Sequence, residues 1–257
     1  MSRTPFSRLL SRYFQKDQPK TDAAALPEGL RIYAIGDVHG CLDLLKGVWE
    51  RIDQDLKVHP VDEAVEIFLG DYIDRGPDSC GVIEALSSPA PDGRRRVCLR
   101  GNHEQMLLSF LDNPAYLEMW RPNGALETLV SYGVDARRLR NIDEAAEVAA
   151  EFLAKAPASH VAFLRSLPFY VDMSPYFFVH AGIRPGIAPT EQREEDMLWI
   201  RDAFLRSDMD FGRILVHGHT PVEQPERRHN RINIDTGAYL TGKLTCVALE
   251  GSEVRFL

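Results

Sequence analysis

Between residues 30 and 111 the chain alternates short apolar runs with stretches of helical periodicity. Residues 31–35 read as a buried strand, and residues 42–56 then carry Leu42, Leu45, Val48, Trp49, Ile52 and Leu56 at helical spacing. The pattern repeats with a strand at 65–69 and a helix at 79–86, then a strand at 96–99 and a helix at 104–111. This strand–loop–helix rhythm predicts a layered α/β architecture whose first strands are parallel. Residues 112–167 are helical in pattern, most clearly at 143–155, and read as a helical insert. Its aromatic residues Tyr116, Trp120 and Tyr132 fall among Leu117, Met119, Leu126 and Leu129, the spacing of helix packing. Strands resume at 176–179, 214–216, 231–234, 245–249 and 254–257, mostly without long helices between them. That predicts a more antiparallel second half. Two sheets stacked face to face, with helices outside, is the simplest packing.

Residues 1–28 differ from the rest of the chain. Phe6, Leu9, Leu10, Tyr13 and Phe14 lie at helical spacing, interleaved with Arg3, Arg8, Arg12 and Lys16. The segment reads as a tail or short amphipathic helix packed on the domain, with contact to a membrane surface or partner as the second reading. The domain is expected over 29–257.

The length of 257 residues and an apolar fraction of 44% suffice for a sizeable core. A net charge of −8 argues against broad binding to nucleic acid or anionic lipid. Cys41, Cys80, Cys98 and Cys246 form no C-x-x-C pair, so a thiolate zinc site is not expected. With no secretory signal, they read as reduced core thiols of a cytoplasmic protein. No apolar stretch reaches the ~18 residues of a spanning helix.

The chemistry sits in five polar blocks: Gly36-Asp37-Val38-His39-Gly40, Gly70-Asp71-Tyr72-Ile73-Asp74-Arg75-Gly76, Gly101-Asn102-His103-Glu104, His180-Ala181-Gly182 and His217-Gly218-His219-Thr220. Four directly follow apolar runs, and in the other the run ends on His180. Ligands of layered α/β proteins sit at the carboxyl ends of strands. Carboxylate oxygens with imidazole nitrogens suit Mn²⁺, Fe or Zn²⁺. Asp37, His39 and Asp71 provide one position; Asp71, Asn102, His180 and His219 a second. The count suggests two divalent cations bridged by Asp71, at the ~3.5–4 Å spacing of dinuclear hydrolases. Arg75 and Arg201 offer guanidinium forks for phosphate oxygens. His103 is placed to protonate a leaving oxygen, with Asp74 to orient its ring. His217 is expected to be structural, although on a strand it would face the same side as His219.

These residues resemble the phosphoprotein phosphatase family of metal-dependent Ser/Thr phosphatases, whose signature runs GDxHG, GDxxDRG and GNHE. Here they stand as GDVHG, GDYIDRG and GNHE. Trp199-x-Arg201, Gly218-His219-Thr220-Pro221 and Ile234-Asp235-Thr236-Gly237-Ala238 are similar to the bacterial and phage-lambda branch. The resemblance implies a calcineurin-like metallophosphoesterase fold, a four-layer αββα sandwich, with a dinuclear, usually Mn²⁺-activated centre. It implies the same metal ligands, His103 as general acid with Asp74, and phosphate binding by Arg75, Asn102 and Arg201. Attack would come directly from a metal-bound hydroxide. Residues 238–242 lack the Asn-Tyr-Cys-Gly of eukaryotic members.

The leading expectation is therefore a Ser/Thr protein phosphatase acting on phosphorylated proteins or peptides. The alternative is a diadenosine-polyphosphate hydrolase, in which the Asp-Arg pair usually becomes Ala-Arg and the third block ends in Asp; Asp74 and Glu104 favour the phosphatase. A catalytically dead phosphopeptide-binding module would be expected to have lost at least one ligand.

Overall fold

The structure, a computed structural model, describes residues 25–90, 94–135 and 144–257. The amphipathic pattern of residues 1–24 lies outside the described residues. Within 25–28, Leu26 is buried, and its N–H donates to Gly251 O at 2.9 Å.

The first half follows the expected rhythm: β1 (Leu30–Ile35), α1 (Leu42–Val58), β2 (Glu63–Phe68), α2 (Ser79–Ser87), β3 (Arg95–Cys98) and α3 (Asn102–Asp112). β1, β2 and β3 are parallel neighbours. The insert contributes α4 (Leu117–Trp120), α5 (Ala125–Ser131), α6 (Ala145–Lys155) and α7 (Ala158–Ser166). β4 (Tyr170–Met173), too short for a clear periodic signal, then pairs with β5 (Tyr176–Val179).

Two short helices, α8 (Glu194–Trp199) and α9 (Asp202–Leu205), precede β6 (Ile214–His217), β7 (Glu226–Arg227) and β8 (Arg231–Asn233). After α10 (Ala238–Thr241) come β9 (Cys246–Glu250) and β10 (Glu253–Phe256). One sheet runs β10-β9-β1-β2-β3 and the other β4-β5-β6-β8-β7. The second sheet is less antiparallel than expected: β5, β6 and β8 are parallel, with antiparallel pairs only at its edges. The crossover helices α8 and α9 are too short to announce themselves by periodicity. The last two strands leave that sheet and return antiparallel beside β1.

The layers follow from burial on both strand faces. Ile32, Ala34, Val65 and Ile67 face Phe178, Val216, Ile232 and Ile234 in the core between the sheets. Tyr33, Ile35 and Phe68 point the other way, into the core under the helices and the insert. Phe177, Val179 and Leu215 meet Met197, Ile200 and Phe204 beyond the second sheet. A strand buried on both faces carries no polar alternation, which is why β1 runs unbroken and apolar from Ile32 to Ile35. Truncating Phe178 to Ala in the central layer is expected to cost about 3–5 kcal/mol. No helix among the described residues is long and apolar enough to cross a membrane.

Candidate metallophosphoesterase site

Parallel register brings the blocks together. Ile35 is opposite Phe68, and Phe68 opposite Cys98, so the loops after β1, β2 and β3 leave the sheet side by side. Phe178 is opposite Val216, which aligns His180 with the loop of His219. Asp37 Oδ2 accepts the His219 N–H at 3.0 Å, joining the two sheets' loops.

Asp71 occupies the centre. Its Oδ2 lies 3.4 Å from His180 Nε2, 3.7 Å from His39 Nε2 and 3.8 Å from His103 Nε2. Two groups of metal-ligand donors share it: His39, Asp71 and His103, and Asp71, His180 and His219. Asn102 Oδ1 sits 2.8 Å from His180 Nε2 and 2.9 Å from His219 Nδ1. His39 Nδ1 is 2.8 Å from Ile73 O, and His180 Nδ1 is 3.0 Å from Leu69 O. Carbonyl oxygens only accept, so both Nδ1 atoms carry the proton and both Nε2 lone pairs face Asp71.

The charge states sort the histidines. Burial, with His103 nearby, pushes His39 down to about 4. Burial, with His180 nearby, takes His219 to about 2, and burial also lowers His180. These rings are neutral donors. Burial also acts against a charged His103, but Asp71 and the bond to Asp74 outweigh it and raise the ring to about 9. His103 Nδ1 lies 2.6 Å from Asp74 Oδ2. The Asp74 bond sets this histidine apart from the other three.

The donor set fits divalent cations. Asp37 Oδ1 and His219 Nε2 are buried with no hydrogen-bond partner. Burial and the repulsion of Asp235 and Asp71 push the Asp37 carboxyl far up. Asp235 rises to about 6, and Glu104 to about 7, each from burial and the Asp71 charge. Crowded, buried carboxylates with unfilled lone pairs call for positive charge.

Every residue expected at the site converges on it. Asp37, Asp71, Asn102, His39, His103 and His219 line or border a cleft of about 140 Å³, with His180 beneath. Arg75 and Arg201 stand exposed at its walls. Arg75 lies over the Tyr239 ring, 5.7 Å from its centroid. His39, Asp71, Asp74, Arg75 and His219 all adopt left-handed backbone, with φ between 46° and 72°. Such strain at non-glycine residues clusters at functional sites. That turn also separates His219 from the strand, so it does not share a face with His217. His217 is buried against Phe204, 5.0 Å away between ring centroids, outside the cleft.

Spacing alone assigns no role to five further participants. Glu104 Oε2 accepts the N–H groups of Asp71 at 2.8 Å and Gly101 at 2.9 Å, and Oε1 that of Tyr72 at 2.7 Å. A Cβ on Gly101 would meet Asp71 Oδ1 at 2.2 Å, so the two loops approach as closely as glycine allows. Asp235 lines the cleft within the Ile234–Ala238 likeness. Trp120 and Thr128 come from the insert: Trp120 Nε1–H donates to Asp74 Oδ2 at 2.7 Å and Thr128 Oγ1–H to Asp74 Oδ1 at 2.5 Å.

Residues 30–248 match the family described as calcineurin-like phosphoesterase. The chain belongs to this family, whose fold the two mixed sheets and flanking helices reproduce. It is 28% identical over 229 residues to the bis(5'-nucleosyl)-tetraphosphatase PrpE [asymmetrical] of Bacillus cereus strain Q1, covering 82% of this chain and 87% of that one. The PrpE of Bacillus thuringiensis strain Al Hakam is 26% identical over 231 residues, covering 83% and 88%. A solved structure titled a putative diadenosine tetraphosphatase superposes with a TM-score of 0.61 at 17% identity, covering 88% of this chain and 92% of that one. The cold-active protein-tyrosine phosphatase of a psychrophilic Shewanella gives 0.55 at 17%, covering 93% and 84%. At that identity the structures speak for the fold alone. These curated relatives carry a tetraphosphatase name rather than the Ser/Thr phosphatase name that the motifs lead one to expect.

Proposed function

We propose that this metal-dependent phosphoesterase hydrolyses bis(5'-nucleosyl) tetraphosphates asymmetrically, to a nucleoside monophosphate and a nucleoside triphosphate. The observation that carries the reading is the likeness to tetraphosphatases over 82% of the chain. The cleft supports it. At about 140 Å³ it is small beside the ~300–1,000 Å³ of pockets that engulf a whole ligand. It suits one phosphoryl group, leaving the rest of a substrate at a rim that carries Tyr239 and the 38% exposed Trp199.

In this reading Asp37, His39, Asp71, Asn102, His180 and His219 would hold two divalent cations, Mn²⁺ by preference. Such ions supply an activated water and neutralise phosphoryl charge. Arg75, Arg201 and the Asn102 amide bind phosphoryl oxygens. His103, its Nδ1 held by Asp74 at 2.6 Å, is turned toward the leaving oxygen. A leaving phosphate needs only its charge; a leaving alkoxide would also need its proton.

The His103–Asp74 pair therefore favours a second reading, hydrolysis of phosphoserine or phosphothreonine in proteins. A binding module without catalysis has no use for the full donor set. The test is kcat/KM at equal Mn²⁺ loading on diadenosine tetraphosphate and on phosphoserine, phosphothreonine and phosphotyrosine peptides. A higher value on the dinucleotide, with AMP and ATP as products, is expected. A reversed ratio would establish the second reading. Two ADP molecules would overturn the asymmetry, and no turnover of either class would sink both readings.

A further inference from the structure

We infer that the helical insert is a positioning element for the acid: Trp120 and Thr128 fix Asp74, and through it the ring of His103. The inference rests on the reading of His103 above as the residue turned toward the leaving oxygen; the geometry is the same for either substrate class, and its kinetic consequence belongs to alkoxide leaving groups.

Asp74 is fully buried, and the donors around it can be counted. Oδ2 accepts from His103 Nδ1 at 2.6 Å and from Trp120 Nε1 at 2.7 Å. Oδ1 accepts from Thr128 Oγ1. The Asp74 N–H points at Thr128 Oγ1, 2.8 Å away, and Ser79 Oγ, 3.0 Å away. Ser79 Oγ and Thr128 Oγ1 are 3.1 Å apart. One proton arrangement satisfies all of these: Thr128 gives its proton to Asp74, and Ser79 gives its own to Thr128.

Trp120 is a core residue with no exposed surface, packed on Phe110 at 5.3 Å between ring centroids. Its one polar atom is spent on the carboxylate that holds His103. Between Trp120 and Thr128 the insert backbone presses on the same turn. A Cβ on Gly124 would stand 2.7 Å from Arg75 N and 2.9 Å from Asp74 Cβ, and Gly124 has φ 106°. Asn123 Oδ1 then meets Arg75 Nη2 at 3.4 Å. Asp74 itself is held at φ 72°. A strained carboxylate with two lone-pair partners from another part of the chain has its orientation set by that part. Removing either donor frees the carboxylate to turn, and the imidazole with it, without touching a metal ligand.

Three variants separate this role from packing. Trp120→Phe keeps the ring and removes the N–H. Thr128→Val keeps the shape and removes the O–H. Thr128→Ser keeps the O–H. In ¹⁵N-histidine-labelled protein we expect, among the protected imidazole N–H signals of the buried histidines, a far-downfield one that disappears in His103→Asn. It should broaden or move upfield in Trp120→Phe and Thr128→Val, and persist in Thr128→Ser. On phosphoserine peptide, the first two variants should lose at least ~10-fold in kcat, within the ~10²–10⁴-fold that a positioned acid supplies. On 4-nitrophenyl phosphate, whose leaving group is acidic, they should lose less than ~3-fold, with KM unchanged.

A resonance equally sharp in every variant, or no such resonance in the parent, would overturn the inference. So would equal losses on both esters with the resonance retained. If His103→Asn itself shows no leaving-group dependence, the acid assignment fails. If it does and the insert variants do not, the positioning role alone fails. Should Thr128→Val not fold, Trp120→Phe and Thr128→Ser decide by the resonance, which needs no turnover.

Discussion

Glu104 Oε2 accepts the backbone N–H of Asp71 at 2.8 Å, so a carboxylate at the start of α3 fixes the main chain of the residue at the centre of the site. The same side chain takes the N–H groups of Tyr72 and Gly101. With the Ile73 N–H at 3.4 Å, four backbone donors on one buried carboxylate leave no place for an amide. Glu104→Gln would set an NH₂ group against backbone N–H groups. We expect destabilisation of about 1–3 kcal/mol, the scale of an unsatisfied buried donor. Divalent-cation affinity should fall about 10–100-fold, as for other residues that support a ligand without touching the ion. Urea unfolding and metal titration measure the two effects; wild-type values in both would remove Glu104 from the site.

Asp71→Asn keeps the shape of the shared side chain and removes its charge. Occupancy should fall in both donor groups, since Asp71 belongs to both. Turnover should drop by at least ~10²–10³-fold, the scale for one electrostatic stabiliser. Elemental analysis of the purified variant is the check. Two retained ions with full activity would end the bridging assignment.

Arg75 is exposed beside the cleft, over Tyr239 and 3.4 Å from Asn123 Oδ1, where its fork can turn to take two phosphoryl oxygens. A charge-assisted hydrogen bond is worth about 1.5–3 kcal/mol. Arg75→Ala should therefore lose about 10–100-fold in kcat/KM. Arg75→Lys should recover only part, because an ammonium lacks the planar fork. Unchanged kinetics in Arg75→Ala would reduce the residue to a surface charge.

A pH effect is expected far from the site. Asp55 on α1 bonds Arg31 of β1 at 3.0 Å, Tyr33 at 2.7 Å and Arg255 of β10 at 2.9 Å. Burial would raise its pKa, but the bonds from Arg255 and Tyr33 and the charges of Arg255 and Arg31 hold it below the ordinary 3.8. A folded pKa below the unfolded one stabilises the fold above the unfolded value, and the gain is lost as pH falls through the folded value. Asp55→Asn should thus show its largest deficit near neutral pH and a shrinking deficit below about pH 4. Urea midpoints across that range test it; a deficit independent of pH would mean that packing, not charge, is lost.

Those four substitutions differ in how visible their positions are in the sequence. Asp71 and Arg75 stand out because poor strand formers recur at strand ends, and only a shared site explains that. The parallel order of β1, β2 and β3 is visible for a related reason: each is followed by a helix with a clear apolar face. The parallel centre of the second sheet is not, because α8 and α9 are too short to show a period. Trp120 and Thr128 lie 46 and 54 residues from Asp74, and no local pattern can pair residues across such a distance. Trp120 is a core residue, as its spacing indicates; nothing in the sequence tells where its indole N–H points. The motifs describe a reaction centre common to several substrates, so the substrate has to be sought in the relatives instead.

The left-handed backbone of His39, Asp71, Asp74, Arg75 and His219 bears on how the protein can be altered. Each such residue costs roughly 1–2 kcal/mol against a relaxed backbone. Glycine would occupy any of these positions without that penalty. Selection for heat resistance alone would therefore drift toward glycine at the very residues assigned to the site, and on that assignment a sturdier molecule recovered that way would be an inert one. Directed evolution of this chain needs an activity screen from its first round.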